Sequence, residues 1–138
     1  MISLDTNILA RYYVDAGQDT EAAKQRPLAL GIMESQQRLF VSRSVALEFA
    51  WLLTAVYGFG ARDVCRVVDH LLGLPNVVVE DSTLVAAAAA AARRGLDFAD
   101  AMHLAASSGC TQFVTFDRRF AKRAATLQLL PPVSVPPT

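Results

Sequence analysis

The chain has 138 residues and a mass of 14.9 kDa, which fits one compact domain over residues 1–138. Hydrophobic residues make up 53% of it and the mean hydropathy is +0.31, yet no apolar run approaches the roughly 18 residues of a membrane span. Thirteen basic and 13 acidic side chains give a formal net charge of zero, which argues against binding of nucleic acid through bulk positive charge. Any contact with nucleic acid is therefore expected to be local.

Neither the N-terminus nor the cysteines indicate export. A secretory signal places a basic stretch before an apolar core, and the opening Met1–Asp5 shows no such order. We therefore expect a cytoplasmic protein with no membrane segment. Cys65 and Cys110 lack the spacing of a metal site, and both are expected to be reduced core residues.

Short apolar runs alternate with helix-like segments along the chain. In chain order, the predicted elements are a strand at 1–4, helices at 8–13 and 20–36, a strand at 39–41, helices at 45–57 and 61–72, a strand at 76–79, helices at 82–94 and 98–108, a strand at 112–116 and a helix at 118–126. Ser82 is the predicted N-cap of its helix and Gly95 its end. The proline-containing tail at 131–138 is predicted to be loosely ordered, with at most an edge strand.

Strands separated by helices favour parallel pairing with right-handed crossovers. The predicted fold class is therefore α/β, a three-layer α/β/α sandwich with a mostly parallel central sheet. Ligands of such sheets bind beyond the carboxyl ends of the strands. Asp5 and Asp117 each follow a strand, so they are expected to lie at the same edge.

Glu48 occurs in an apolar helical segment. The helical period places it on a stripe with Val45, Leu52 and Val56, which predicts that the carboxylate points inward. A buried charge needs a cationic side chain, backbone donors or a metal ion. The alternative is a salt bridge or hydrogen bond on a partly exposed helix edge.

Asp97 and Asp100 lie three residues apart at the start of a predicted helix. Asp97 as a plain N-cap is favoured over metal ligation, whereas Asp100, one turn into an apolar helix, is the better ligand candidate. Asp5 and Asp117 taken singly are each explained as a cap or a turn residue. Four converging carboxylates would repel one another unless a cation neutralised them, and hard oxygen ligands suit Mg²⁺ or Mn²⁺. One or two such ions would support hydrolysis of a phosphodiester.

Four segments carry a family resemblance: Leu4-Asp5-Thr6-Asn7, the helix with Glu48, the run Asp97 to Ala105 (DFADAMHLA), and Thr115 to Phe120 (TFDRRF). From Leu4 to about Phe120 the chain resembles a PIN domain, specifically the VapC-type toxins of prokaryotic toxin–antitoxin pairs. The resemblance implies an α/β/α ribonuclease that cleaves RNA with Mg²⁺ or Mn²⁺, is inhibited by a cognate antitoxin and forms a homodimer.

Carried over by position, the resemblance assigns the acidic quartet to Asp5, Glu48, Asp100 and Asp117. Thr6 or Asn7 beside the first acid, and Thr115 before the last, resemble polar positions that orient the carboxylates. Asp97 resembles an extra acid of some members, with metal contact left open. His103, one turn after Asp100, is interpreted as a hydrogen-bonded residue at the core edge rather than as a metal ligand or general acid.

Two surfaces remain open to interpretation from the sequence. The basic residues are expected either to hold RNA phosphates or to complement a helix end and coat a solvated helix. They are Arg93, Arg94, Arg118, Arg119, Lys122 and Arg123.

The helix with Glu48 has a second apolar side, formed by Leu47, Trp51 and Tyr57. A second subunit, an antitoxin helix or the core is the expected neighbour of this side.

Two other functions compete with a ribonuclease. A Mg²⁺-dependent phosphatase of the haloacid-dehalogenase type needs an aspartate two residues after the first, where this chain has Asn7. A PIN-like binding or scaffold module without nuclease activity is the non-enzymatic alternative, against which the intact acidic quartet counts.

Overall fold

The computed structural model describes residues 1–137. The first half of the chain contains β1 (Ile2–Ser3), α1 (Thr6–Tyr13), α2 (Thr20–Met33), β2 (Leu39–Val41), α3 (Arg43–Ala55) and α4 (Ala61–Gly73). The second half contains β3 (Val77–Val79), α5 (Ser82–Arg93), α6 (Phe98–Ala105), β4 (Phe113–Val114), α7 (Arg118–Thr126) and β5 (Val133–Ser134). The predicted order of strands and helices is confirmed, and α7 has its predicted bounds.

All strand pairs are parallel, as predicted. β1, β2 and β3 form one sheet in that order, with Ile2 opposite Leu39 and Leu39 opposite Val77. β4 and β5 form a second sheet, with Phe113 opposite Val133. The fold is a three-layer α/β/α arrangement, but among residues 1–137 no backbone ladder joins β1 to β4, so the strands do not form one continuous sheet.

The core lies where the central helices pack on the strands of the first sheet. Its largest fully buried side chains are Phe49, Leu9, Leu39, Leu53, Leu71, Val41 and Val85. Small residues allow close packing in α5, where Ala88, Ala89 and Ala92 are buried. None of the helices within residues 1–137 combines the length and the apolar character that crossing a bilayer would require.

The predicted N-cap of α5 is wrong. Asp81, not Ser82, occupies the N-cap position of α5, in the left-handed conformation at φ 52° that aspartate tolerates better than most residues. The backbone N–H of Arg43 donates to Glu80, and the Arg43 guanidinium pairs with Asp81 at 3.0 Å, which holds this turn in place. Gly95 ends α5 as predicted, with φ at 105°.

The two cysteines differ. Cys65 is buried as predicted, but Cys110 is exposed. The cause is that α6 ends at Ala105, three residues earlier than predicted. The chain then runs over the surface in turns, in one of which the Cys110 N–H donates to the Ser107 carbonyl. The tail contains the edge strand β5, and its last residue, Thr138, lies outside the described residues.

Candidate active site

Asp5 follows β1 and occupies the N-cap position of α1. Its backbone is extended, with φ −84° and ψ 162°, and within the described chain its side chain makes no capping hydrogen bond. The carboxylate is exposed. The plain capping interpretation therefore does not account for Asp5, and its oxygens are available to another partner.

Next to Asp5, a buried hydroxyl connects α1 to α3. Thr6 is 4% exposed, and its Oγ1 donates a hydrogen bond to Oε1 of Glu48. Thr6 thus fixes the position of a carboxylate 42 residues away in the sequence. Because Thr6 adjoins Asp5, the two acids Asp5 and Glu48 are associated with the same end of α1.

The predicted inward direction of Glu48 is wrong. Glu48 is exposed, and Val56, on its predicted stripe, is 59% exposed. The buried face of α3 is instead formed by Ala46, Phe49, Ala50 and Leu53. An almost wholly apolar helix presents more than one candidate buried stripe, and here the packing of Phe49 and Leu53 determined the rotation.

A second group of acids surrounds a cavity of about 650 Å³ beside α6 and α7. Asp97, Asp100 and Asp117 all line it. Asp97 is the N-cap of α6, as predicted, and its Oδ2 accepts from the Asp100 backbone N–H at 3.2 Å. Asp117 is the N-cap of α7, where its Oδ1 accepts from the Phe120 N–H at 3.0 Å.

The surroundings of Asp100 in this cavity disfavour its charged form. Its own partial burial raises the pKa of the Asp100 carboxyl above its ordinary value, and the negative charges of Asp97 and Asp117 raise it further. The nearby His103 acts in the opposite direction and lowers that pKa. Like charges around a half-buried carboxylate are a frequent feature of functional sites, because a cation relieves the repulsion when it binds.

The donor chemistry of these residues fits a hard divalent cation. Carboxylate oxygens are the ligands that Mg²⁺ and Mn²⁺ prefer. In the described part of the chain, however, no three His, Cys, Asp or Glu side chains lie close enough to form a complete metal cage. Asp97, Asp100 and Asp117 line the cavity, whereas Glu48 accepts a hydrogen bond from Thr6, the neighbour of Asp5 at the start of α1.

The polar residues beside the acids have distinct surroundings. Thr115 accepts the Asp117 backbone N–H at its Oγ1, at 3.0 Å, and so shapes the turn that presents Asp117. Asn7 and His103 are exposed. The interpretation of His103 as a residue at the core edge is therefore wrong, because its side chain lies on the solvent side of α6.

Cationic residues complete the cavity. Arg119, Lys122 and Arg123 line it together with the three acids. The sequence shows these residues as a basic run, but their position opposite the acids depends on how α7 packs. Arg93 belongs elsewhere, because it forms a salt bridge with Asp69.

Asp5 and Asp117 each follow a strand of an α/β fold with parallel strands, and Asp117 shares a cavity with Asp97, Asp100 and basic side chains of α7. The sequence profile of the PIN domain family matches residues 2–126. The chain belongs to the PIN domain family. Comparison with curated proteins and with solved structures returned no significant match.

Family membership assigns the protein to a class. PIN domains are generally nucleases that act with divalent metal ions, and the protein is accordingly a hydrolase of the nuclease class. The family also associates the chain with RNA. This assignment favours the nuclease over the phosphatase considered from the sequence.

Proposed function

We propose that this protein is an endoribonuclease that hydrolyses RNA phosphodiester bonds with one or two Mg²⁺ or Mn²⁺ ions. The ligands in this proposal are Asp5, Glu48, Asp100 and Asp117. The observation that carries the proposal is the half-buried Asp100 carboxylate, which shares a cavity with Asp97 and Asp117 and has a raised pKa. The negative charges of these carboxylates repel one another, and a bound cation would relieve this repulsion.

The chain's own residues position the chemistry. When bound, a divalent ion lowers the pKa of a water molecule and stabilises negative charge on the phosphodiester. Thr6 holds the Glu48 carboxylate, and Thr115 shapes the turn at Asp117. The Asp97 carboxylate accepts a hydrogen bond from the Asp100 backbone N–H and so fixes the first turn of α6.

We further propose the cellular role that the VapC-type resemblance implies. The protein would be the cytoplasmic toxin of a type II toxin–antitoxin pair, bound by a cognate antitoxin and assembled as a homodimer. Trp51 supports a protein partner, because this large apolar side chain is 60% exposed on α3. Co-purification with the product of a neighbouring gene for a short DNA-binding protein tests the pairing.

The nuclease proposal is tested with a labelled single-stranded RNA. Wild type is expected to cleave it with Mn²⁺ and not with EDTA, and Asp5→Asn and Asp100→Asn are expected to lower the rate by about 100-fold or more, because each removes a metal ligand. Asp63→Asn is the matched control, since Asp63 is an exposed carboxylate on α4, away from the cavity.

Thermal unfolding gives a second measurement on the same variants. Asp100→Asn is expected to raise the Tm in EDTA, because it removes like-charge repulsion, and to reduce the rise in Tm that Mn²⁺ causes in wild type. Equal cleavage by wild type and both variants, or none by any of them, would remove the nuclease proposal. Loss in Asp100→Asn with full activity in Asp5→Asn would restrict the site to the cavity acids.

A further inference from the structure

One face of α7 forms a basic wall of the acidic cavity. Arg119, Lys122, Arg123 and Thr126 line the cavity at the spacing i, i+3, i+4 and i+7, which is one stripe of a helix. The buried residues Phe120 and Ala124 anchor α7 in the core, and Phe120 also borders the cavity. The packing of α7 therefore directs three cations to the same cavity as Asp97, Asp100 and Asp117.

These three cations are not used for internal pairing. Within residues 1–137, none of the side chains of Arg119, Lys122 and Arg123 forms a salt bridge, although three carboxylates line the same cavity. All three side chains are exposed to solvent. An anionic ligand in the cavity would therefore find them available.

Arg123 lies next to Gly95, in the turn between α5 and α6. A Cβ placed on Gly95 would lie 3.4 Å from both Cζ and Nε of Arg123. Gly95 also has φ 105°, a conformation that side chains other than glycine's rarely adopt. The α5–α6 turn and the Arg123 guanidinium are therefore neighbours at the cavity, which both Gly95 and Arg123 line.

We propose that Arg119, Lys122 and Arg123 bind the phosphates of single-stranded RNA that flank the bond to be cleaved. The inference rests on the proposed nuclease function, because it takes the acidic side of the cavity as the cleavage site. A cavity of about 650 Å³ is within the range of small-molecule sites and accommodates a nucleotide unit rather than a duplex. In a chain with zero net charge, a local set of cations is the means by which a polyanion is retained.

The test uses the full chain and matched single substitutions. RNA binding is measured by fluorescence anisotropy of a labelled single-stranded RNA in Mg²⁺ buffer, in an Asp100→Asn background, with RNA integrity checked on a gel. Arg123→Ala and Lys122→Ala are expected to weaken binding by about tenfold each and to reduce the slope of log K against log salt by about 0.7 per lost phosphate contact. Arg123→Lys is expected to retain the slope.

Arg118→Ala is the control variant. Arg118 is on the same helix with the same charge but is not part of the cavity stripe, and its substitution is expected to leave the affinity and the salt slope unchanged. Equal losses of RNA affinity for Arg118→Ala and Arg123→Ala would overturn the proposal, because the binding would then depend on diffuse positive charge and not on the basic wall. Unchanged binding in the cavity variants, or no RNA binding by the parent protein, would also overturn it.

Cleavage by the chain with Asp100 intact separates the two proposals. If this protein cleaves RNA in Mn²⁺ while the α7 variants bind and cleave normally, the nuclease function stands and the basic wall is wrong. If it cleaves no RNA, but Arg123→Ala and Lys122→Ala still weaken binding selectively, the wall stands and the nuclease proposal is wrong.

Discussion

Half-burial makes the charge of Asp100 unfavourable, and two further carboxylates share its cavity. The spacing of Asp97 and Asp100 predicted that Asp97 caps α6 and that Asp100 lies on the same face of the first turn, because both features follow from the geometry of one helical turn. Glu48 was not predictable in the same way. Its side-chain direction depends on the rotation of α3, and an apolar helix such as α3 leaves that rotation open.

Cys65 supplies a prediction of pH dependence at the residue scale. Burial raises the pKa of the Cys65 thiol, and the Arg93 guanidinium partly lowers it. The folded state therefore retains the thiol proton at pH values at which the unfolded chain, with a pKa of about 8.5, loses it. Because the unfolded state then binds fewer protons, the contribution of Cys65 to stability is constant below about pH 8.5 and falls as the pH rises above it.

The measurement compares Cys110→Ser with the double variant Cys65→Ala/Cys110→Ser. The free energy of unfolding from urea titrations is expected to decline more steeply above about pH 8.5 when Cys65 is present, by up to about 1.4 kcal/mol per pH unit. Cys110 is replaced in both proteins because it is exposed. Parallel curves across this pH range would contradict the prediction.

At the scale of elements, helix ends and functional acids coincide. Asp97 and Asp117 are both N-caps with side-chain hydrogen bonds, and both line the cavity. Capping and cavity lining are therefore not exclusive interpretations, because a carboxylate has two oxygens and a cap uses one of them. Local sequence predicted the cap at Asp97 but interpreted Asp117 singly as a turn residue, and it did not show that α6 and α7 begin at the same cavity.

Asp117 allows the two roles to be separated. Asp117→Asn is expected to leave the free energy of unfolding in EDTA nearly unchanged, since asparagine caps helices as well as aspartate does, whereas Asp117→Ala is expected to lower it by about 1 kcal/mol. Both variants are expected to lose RNA cleavage, because both lack the carboxylate charge. Chemical denaturation and the RNA assay measure the two effects, and full activity in Asp117→Asn would show that Asp117 is only a cap.

On the scale of the whole molecule, α3 leaves Trp51 largely in solvent. Trp51 is 60% exposed, and Leu47, one turn earlier on the same side, is partly buried. The buried stripe of α3 is Ala46, Phe49, Ala50 and Leu53. Of the second apolar side, Leu47 and Tyr57 pack against the core, so only Trp51 is left without a neighbour in the core.

If the Trp51 side is the homodimer contact, wild type is expected to have about twice the 14.9 kDa chain mass by light scattering. Trp51→Glu is expected to halve this mass, because it places a charge in an apolar contact. Leu28→Glu on α2 is a matched control, since Leu28 is 69% exposed and apolar as well. A monomeric wild type, or a dimeric Trp51→Glu variant, would contradict the prediction.

The sequence by itself determined the order of strands and helices, the parallel α/β class and the placement of acids at strand and helix ends. These features depend on hydrophobic period, capping and turn chemistry within a few residues of one another. Tertiary structure decided which acids meet, the direction of Glu48, the division of the strands into two sheets and the basic wall of the cavity. Such features depend on packing and strand pairing between distant segments, as in the Thr6–Glu48 contact across 42 residues, and no local pattern encodes them.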